Sequence, residues 1–187
     1  MWGTQDAFNE YTYMMTHNKV IKIVSFVLYA SIVLHAVMAI AVVLKNRQSR
    51  PVNYASKKAN SSWASQNMIY LGLVLLVYIV MHLAQFWYVM KFGQVEHYET
   101  PNGVHVKDMW TIVIEAFKIP WIVAAYVISM LALGLHLVHG FQSGFQTVGV
   151  NHPKYTPIIK NLSIWIFGIL IPLAFAIVPI VVHFQHT

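Results

Sequence analysis

Four long apolar runs, at residues 20–44, 66–90, 120–148 and 162–184, alternate with short polar stretches along this chain. Each run exceeds the roughly 20 residues a helix needs to cross a hydrocarbon core of ~30 Å. The first starts too late and runs too long for the apolar stretch of a signal peptide. The pattern predicts an all-α integral membrane helical bundle with four transmembrane helices, forming one domain over residues 1–187 with no soluble domain attached. Residues 1–18, polar and aromatic without clean helical periodicity, read as a segment leading into the membrane. The first run is expected to stop at Lys45, with Pro51 beyond it. Residues 46–65 read as mostly irregular, and 92–109 as a loop turned at Pro101, Asn102 and Gly103. Residues 110–119 read as an interfacial amphipathic stretch leading to Pro120. Gly149 should close the third helix, Pro153 and Pro157 mark the following turn, and Pro172 and Pro179 kink the fourth. Trp63, and Trp87 with Tyr88, stand near the two ends of the second run, as aromatic belts do.

Composition agrees with this class and removes others. Of 187 residues, 58% are hydrophobic and only 10% charged, which no soluble domain of this size shows. The chain has no cysteine, which excludes disulfides, thiolate-held iron–sulfur clusters and Cys-based zinc sites. The net charge of +6 raises nucleic acid as a partner, but its placement argues for a lipid bilayer instead. Lys45, Arg47, Arg50, Lys57 and Lys58 follow the first run, and Lys154 and Lys160 lie between the third and fourth. Every carboxylate (Asp6, Glu10, Glu96, Glu99, Asp108, Glu115) falls at the other end of the bundle. The positive-inside rule places the basic loops in the cytoplasm and both termini outside. The basic loops serve as a topology signal and touch anionic lipid, and they also suit docking of a cytoplasmic subunit.

The candidate chemistry lies in histidines within the runs. Ionisable side chains inside a bilayer are costly, so His35, His82, His136 and His139 are functional candidates. Neutral imidazole is a common metal ligand and an axial ligand of haem iron. At ~1.5 Å per residue, His35 and His136 each lie about 15 Å from the basic end of their helices, at one level. His82, about 14 Å from the opposite end, belongs to a second layer. Two layers suit two haems in series. His139 follows His136 by three positions on nearly the same face, as an alternative ligand or as a donor to a haem propionate. A lone intramembrane histidine can equally serve as a hydrogen-bonding tie between helices. His183, at the end of the fourth run, reads that way with a wet tip; His17, His97, His105, His152 and His186 read as solvated in loops or termini. Gly72, Gly134, Gly140, Ala36, Ala39 and Ala41 suit close helix approach. Met38, Met81 and Met130 read as packing residues and not as ligands.

The run Leu133-Gly-Leu-His136-Leu-Val-His-Gly140-Phe-Gln-Ser143-Gly-Phe-Gln-Thr147-Val-Gly149 resembles a helix signature of one family. That family is the cytochrome b membrane anchor of succinate dehydrogenase and fumarate reductase, in its single-polypeptide, dihaem form. Asp6-Ala-Phe-Asn9, Leu34-His35 with Lys45-Asn-Arg47 and Arg50-Pro51, Ser62-Trp63-Ala-Ser65, and His82-Leu-Ala-Gln-Phe-Trp87 are similar to other stretches of it. The resemblance covers nearly the whole chain. It implies a haem b held by His35 and His136 near an iron–sulfur partner, and a distal haem held by His82. It also implies electron transfer with membrane quinone, and a flavoprotein and an iron–sulfur subunit as partners, with no catalytic residue in this chain. The family has five transmembrane helices and a ligating histidine on each of the first four. The stretch matching the connection between its first two helices stands here at the N-terminus, so the first helix is expected to be missing. A truncation, a misplaced start and a genuine departure are the readings of that difference, and one haem b is expected, a second if the helix is supplied. His183 is the weak substitute for the missing ligand. Trp87, Tyr88, Glu96 and His97 are weak candidates for the quinone site. Two other readings stand beside this one: a haem-free membrane anchor, or a small transporter with hydrogen-bonding intramembrane histidines. The sequence shows neither the repeat nor the paired interrupted helices of a transporter.

Overall fold

Each apolar run is a helix in the computed structural model of the chain, which describes residues 4–49 and 62–187. The spans are Lys19–Gln48, Met68–Phe92, Pro120–Thr147 and Thr156–His186, all long and apolar enough to cross a membrane. The molecule is a helical bundle with a single small sheet of two strands among the described residues.

Span ends differ from expectation where local chemistry extends or interrupts the helix. The first span continues past Lys45 to Gln48, because Lys45 and Arg47 in its last turn complement the carbonyl end of the helix. Pro51, Arg50, Lys57 and Lys58 lie outside the described residues. Residues Trp63–Gln66 form a separate turn capped by the Ser62 side chain, and the second span starts only at Met68. The fourth span starts earlier than residue 162, at Thr156. Pro157 sits in its first turn, where a missing N–H costs nothing. A π-helical stretch, Ser163–Leu170, lies just before Pro172, and Pro179 stands inside the helix that follows. A second such stretch, Leu83–Tyr88, follows His82 in the second span. Widened turns of this kind often accompany functional positions.

The end of the bundle that carries the carboxylates is more ordered than its sequence suggested. Residues Gln5–His17 form a helix, with the Thr4 hydroxyl capping Ala7 N–H and Asp6 in the first turn. The loop after the second span contains a hairpin of His97–Glu99 against His105–Lys107, antiparallel, with Tyr98 opposite Val106. Its turn needs Gly103, whose φ of 76° is left-handed. Asp108 then caps the helix Met109–Phe117, and Pro120 opens the third span. The N-terminal helix is fastened here by side chains: Asn9 donates to Asp108 and accepts from Trp110 N–H, and Tyr98 donates to Asp6. His186 packs near Trp110, so both termini lie at this one end.

The third span is the centre of the bundle. Ile122, Val123 and Tyr126 are buried with Phe117, and Tyr78, Met81, Phe86 and Ile180 pack against them. Toward the other end, the third and fourth spans approach closely at Gly134. A Cβ there would lie 2.9 Å from the Gly168 carbonyl oxygen and 3.1 Å from Pro172 Cγ. Gln142 donates to Ser163 Oγ across the same seam. The first span has no buried residue. Ser25, Ile32, Ala36, Ala39 and Val43 form one half-buried stripe at helical spacing, and nearly everything else on it is exposed.

Candidate functional site: a histidine pair between the first and third spans

His35 and His136 meet. Their ring centres are 6.1 Å apart and the ring planes 78° apart. His35 stands beside the half-buried stripe of the first span, and His136 is half-buried on the third. Gly72 of the second span faces the pair: a Cβ there would reach 3.7 Å from His136 Cε1. Gly72 therefore lies under the imidazole, a place its position in the sequence did not reveal. Nδ1 of His136 is buried without a hydrogen-bond partner. Leaving such an atom unmet costs about 1–3 kcal/mol, which favours a polar or metal partner for the ring.

The separation of the two rings can be set against that of two imidazoles on one haem iron. Two imidazoles bound to one iron at about 2 Å each place their ring centres about 6 Å apart. No three His, Asp or Glu side chains converge among the described residues, as a bare ion would require. Two neutral imidazoles alone suit a metal whose other positions a macrocycle fills. Of the two candidates on the third span, the His136 ring faces His35; His139 is half-buried, one turn closer to the basic end.

His82 lies in a separate layer. Its Nδ1 is 3.4 Å from the Tyr126 hydroxyl, which donates to Gln85 Oε1 at 2.8 Å. Tyr126 precedes His136 by ten residues, about 15 Å along the third span at ~1.5 Å per residue. Tyr78, Phe86 and Tyr126 surround the His82 ring, and no second histidine ring faces it among the described residues.

His183 does not complete that layer. Its Nδ1 donates to the Phe117 carbonyl oxygen at 2.8 Å, satisfying a carbonyl at the end of the helix Met109–Phe117. The half-buried ring is therefore a hydrogen-bonding tie between helices, as read from the sequence. Phe86, Phe117 and Tyr126 pack together between His183 and His82. The remaining histidines are less irregularly placed than expected. His17 stacks on Tyr13 at the end of a helix, His97 and His105 are strand residues, and His186 ends the fourth span. His152 does lie in a turn, where its Nδ1 accepts from Lys154 N–H. Gln85 and Tyr126 were missed from the sequence. The signal available was a lone amide three positions after His82 in an otherwise apolar helix.

Two carboxylates at the hairpin end are held ionised. Donation by Thr100 and then Asn102 pulls the Glu10 carboxyl below its usual range. Burial pushes the Asp108 carboxyl up, but donation by Thr111, Asn9 and Gln5 outweighs it, and the group lies below its usual value.

No protein-family model, no curated protein and no solved structure matches the chain.

Proposed function

We propose that this chain is the haem b-carrying membrane anchor of a succinate:quinone or quinol:fumarate oxidoreductase. In that role it passes electrons between an iron–sulfur subunit, itself joined to a flavoprotein, and quinone in the bilayer. One observation carries the reading: imidazoles from two different spans lie with their ring centres 6.1 Å apart. The resemblance of separate stretches along the chain supports the same conclusion. When bound, the haem supplies a one-electron carrier shielded from water. His35 and His136 would hold its iron, each as the neutral imidazole that alone offers a lone pair. Gly72 leaves the ring of His136 free of a side chain from the second span. His139, on the basic side of the pair, would be a donor to a haem propionate. His82, beside Tyr126, would be the ligand in the second layer. The end carrying Lys45, Arg47, Lys154 and Lys160 faces the cytoplasm of a bacterial cell and receives the partner subunits. The bond-making chemistry on succinate or fumarate belongs to the flavoprotein.

A reduced-minus-oxidised visible spectrum of the purified protein tests the proposal. A sharp low-spin haem b band is expected. A spectrum without any haem band contradicts it and leaves the haem-free anchor or the small transporter.

A further inference from the structure

Beside the end of the second span, the N-terminal helix and the hairpin enclose a cavity of about 270 Å³. Its walls include His17, Lys91, His97, His105 and Lys107, and no carboxylate. The charges at this end of the bundle are sorted. Asp6, Glu10 and Asp108 accept from Tyr98, from Thr100 and Asn102, and from Gln5, Asn9 and Thr111, so they fasten the helix to its neighbours. Lys91, Lys107, His17, His97 and His105 are left to the cavity, and of these His105 has its Nε2 3.6 Å from Glu99 Oε2.

The donors differ in how far they are committed. Lys107 Nζ donates to the Met90 carbonyl at 2.6 Å and so neutralises the negative end of the second span. Thr12 and Thr16 spend their protons on backbone carbonyls. The side chains of Lys91 and His97 make no hydrogen bond or ion pair among the described residues. His97 and Lys107 are register partners across the hairpin, which puts their side chains on one face. The cavity is smaller than the roughly 300–1,000 Å³ clefts that take drug-sized ligands, a size for a small head group. It also adjoins the last turn of an apolar span, at the depth where lipid head groups lie.

We propose that this cavity binds the phosphate of an anionic head group, recognised by Lys91 and His97. The phosphate belongs to a phospholipid of the facing leaflet or to a free phosphate in solution. Native mass spectrometry of the full chain in mild detergent, titrated with phosphatidylglycerol, phosphatidylcholine and inorganic phosphate, tests this. Wild type should take up one anion per chain in preference to phosphatidylcholine. The double variant Lys91→Gln with His97→Gln should bind about tenfold more weakly, at an unchanged thermal midpoint, since both side chains are exposed. Lys118→Gln, remote in the sequence and paired with Glu115, should bind as wild type. Phosphatidylglycerol uptake that inorganic phosphate does not displace assigns the site to lipid, and the reverse assigns it to the free anion. Equal uptake of phosphatidylglycerol and phosphatidylcholine, or a double variant that binds like wild type, overturns the proposal.

Discussion

The first and third spans each bring one imidazole to the pair, but their surroundings are opposite. In the third span 39% of the most apolar stretch is buried, against none in the first. The third is gripped by the second and fourth spans through aromatic packing at one end and the Gly134–Gly168 approach at the other. The first touches the bundle along a single stripe of small and apolar residues. Lipid is as apolar as leucine, so an exposed apolar face costs nothing in a bilayer and does not drive the first span inward. Its position depends instead on the N-terminal helix at its start and, in the proposed function, on the bond from His35 to iron. The third span needs no ligand to stay in place.

The largest break in this contrast should come from Gly134→Leu. The new side chain meets the Gly168 backbone and the Pro172 ring, and overpacking of this kind costs about 1–3 kcal/mol, read as a lower thermal midpoint in detergent. Tyr126→Phe should come next. It removes the bond to Gln85 and the contact with His82, a loss of about 0.5–1.5 kcal/mol in the same measurement.

Acid should then loosen the first span before the third. Glu10 and Asp108 have depressed values in the fold, so their contribution is complete above the ordinary carboxylate range and is lost as pH falls through those values. Hydrogen exchange at Gln5–His17 should rise below about pH 4 while amides of the third span keep their protection. Equal loss in both would mean that this end of the bundle does not hold the first span. Val33→Leu, on the exposed face of the first span, should shift the thermal midpoint by less than about 0.5 kcal/mol equivalent.

The uneven legibility of the sequence follows from the same physics. Long apolar runs declare themselves because the bilayer demands length and composition, and the four spans were readable to within a few residues. His35 and His136 could be matched by counting residues along two helices that run in the same direction. Partners across helices could not, since no periodicity says that Tyr126 reaches Gln85 or that Gly72 lies under His136. The N-terminal helix was missed because its stability comes from the Thr4 cap and from contacts about 90 to 100 residues away, such as Asn9 with Asp108, and not from a stripe of its own. The hairpin strands, each of three residues, are too short to show an alternation. That His183 ties helices was readable, but not its acceptor, because the Phe117 carbonyl belongs to the backbone and carries no sequence signal.

Haem content per chain in His35→Ala, His136→Ala and His183→Ala, set against wild type, tests the central claim most directly. The account predicts that the first two variants lose the haem held between the first and third spans, while His183→Ala keeps it. Equal haem content in all three variants would contradict it.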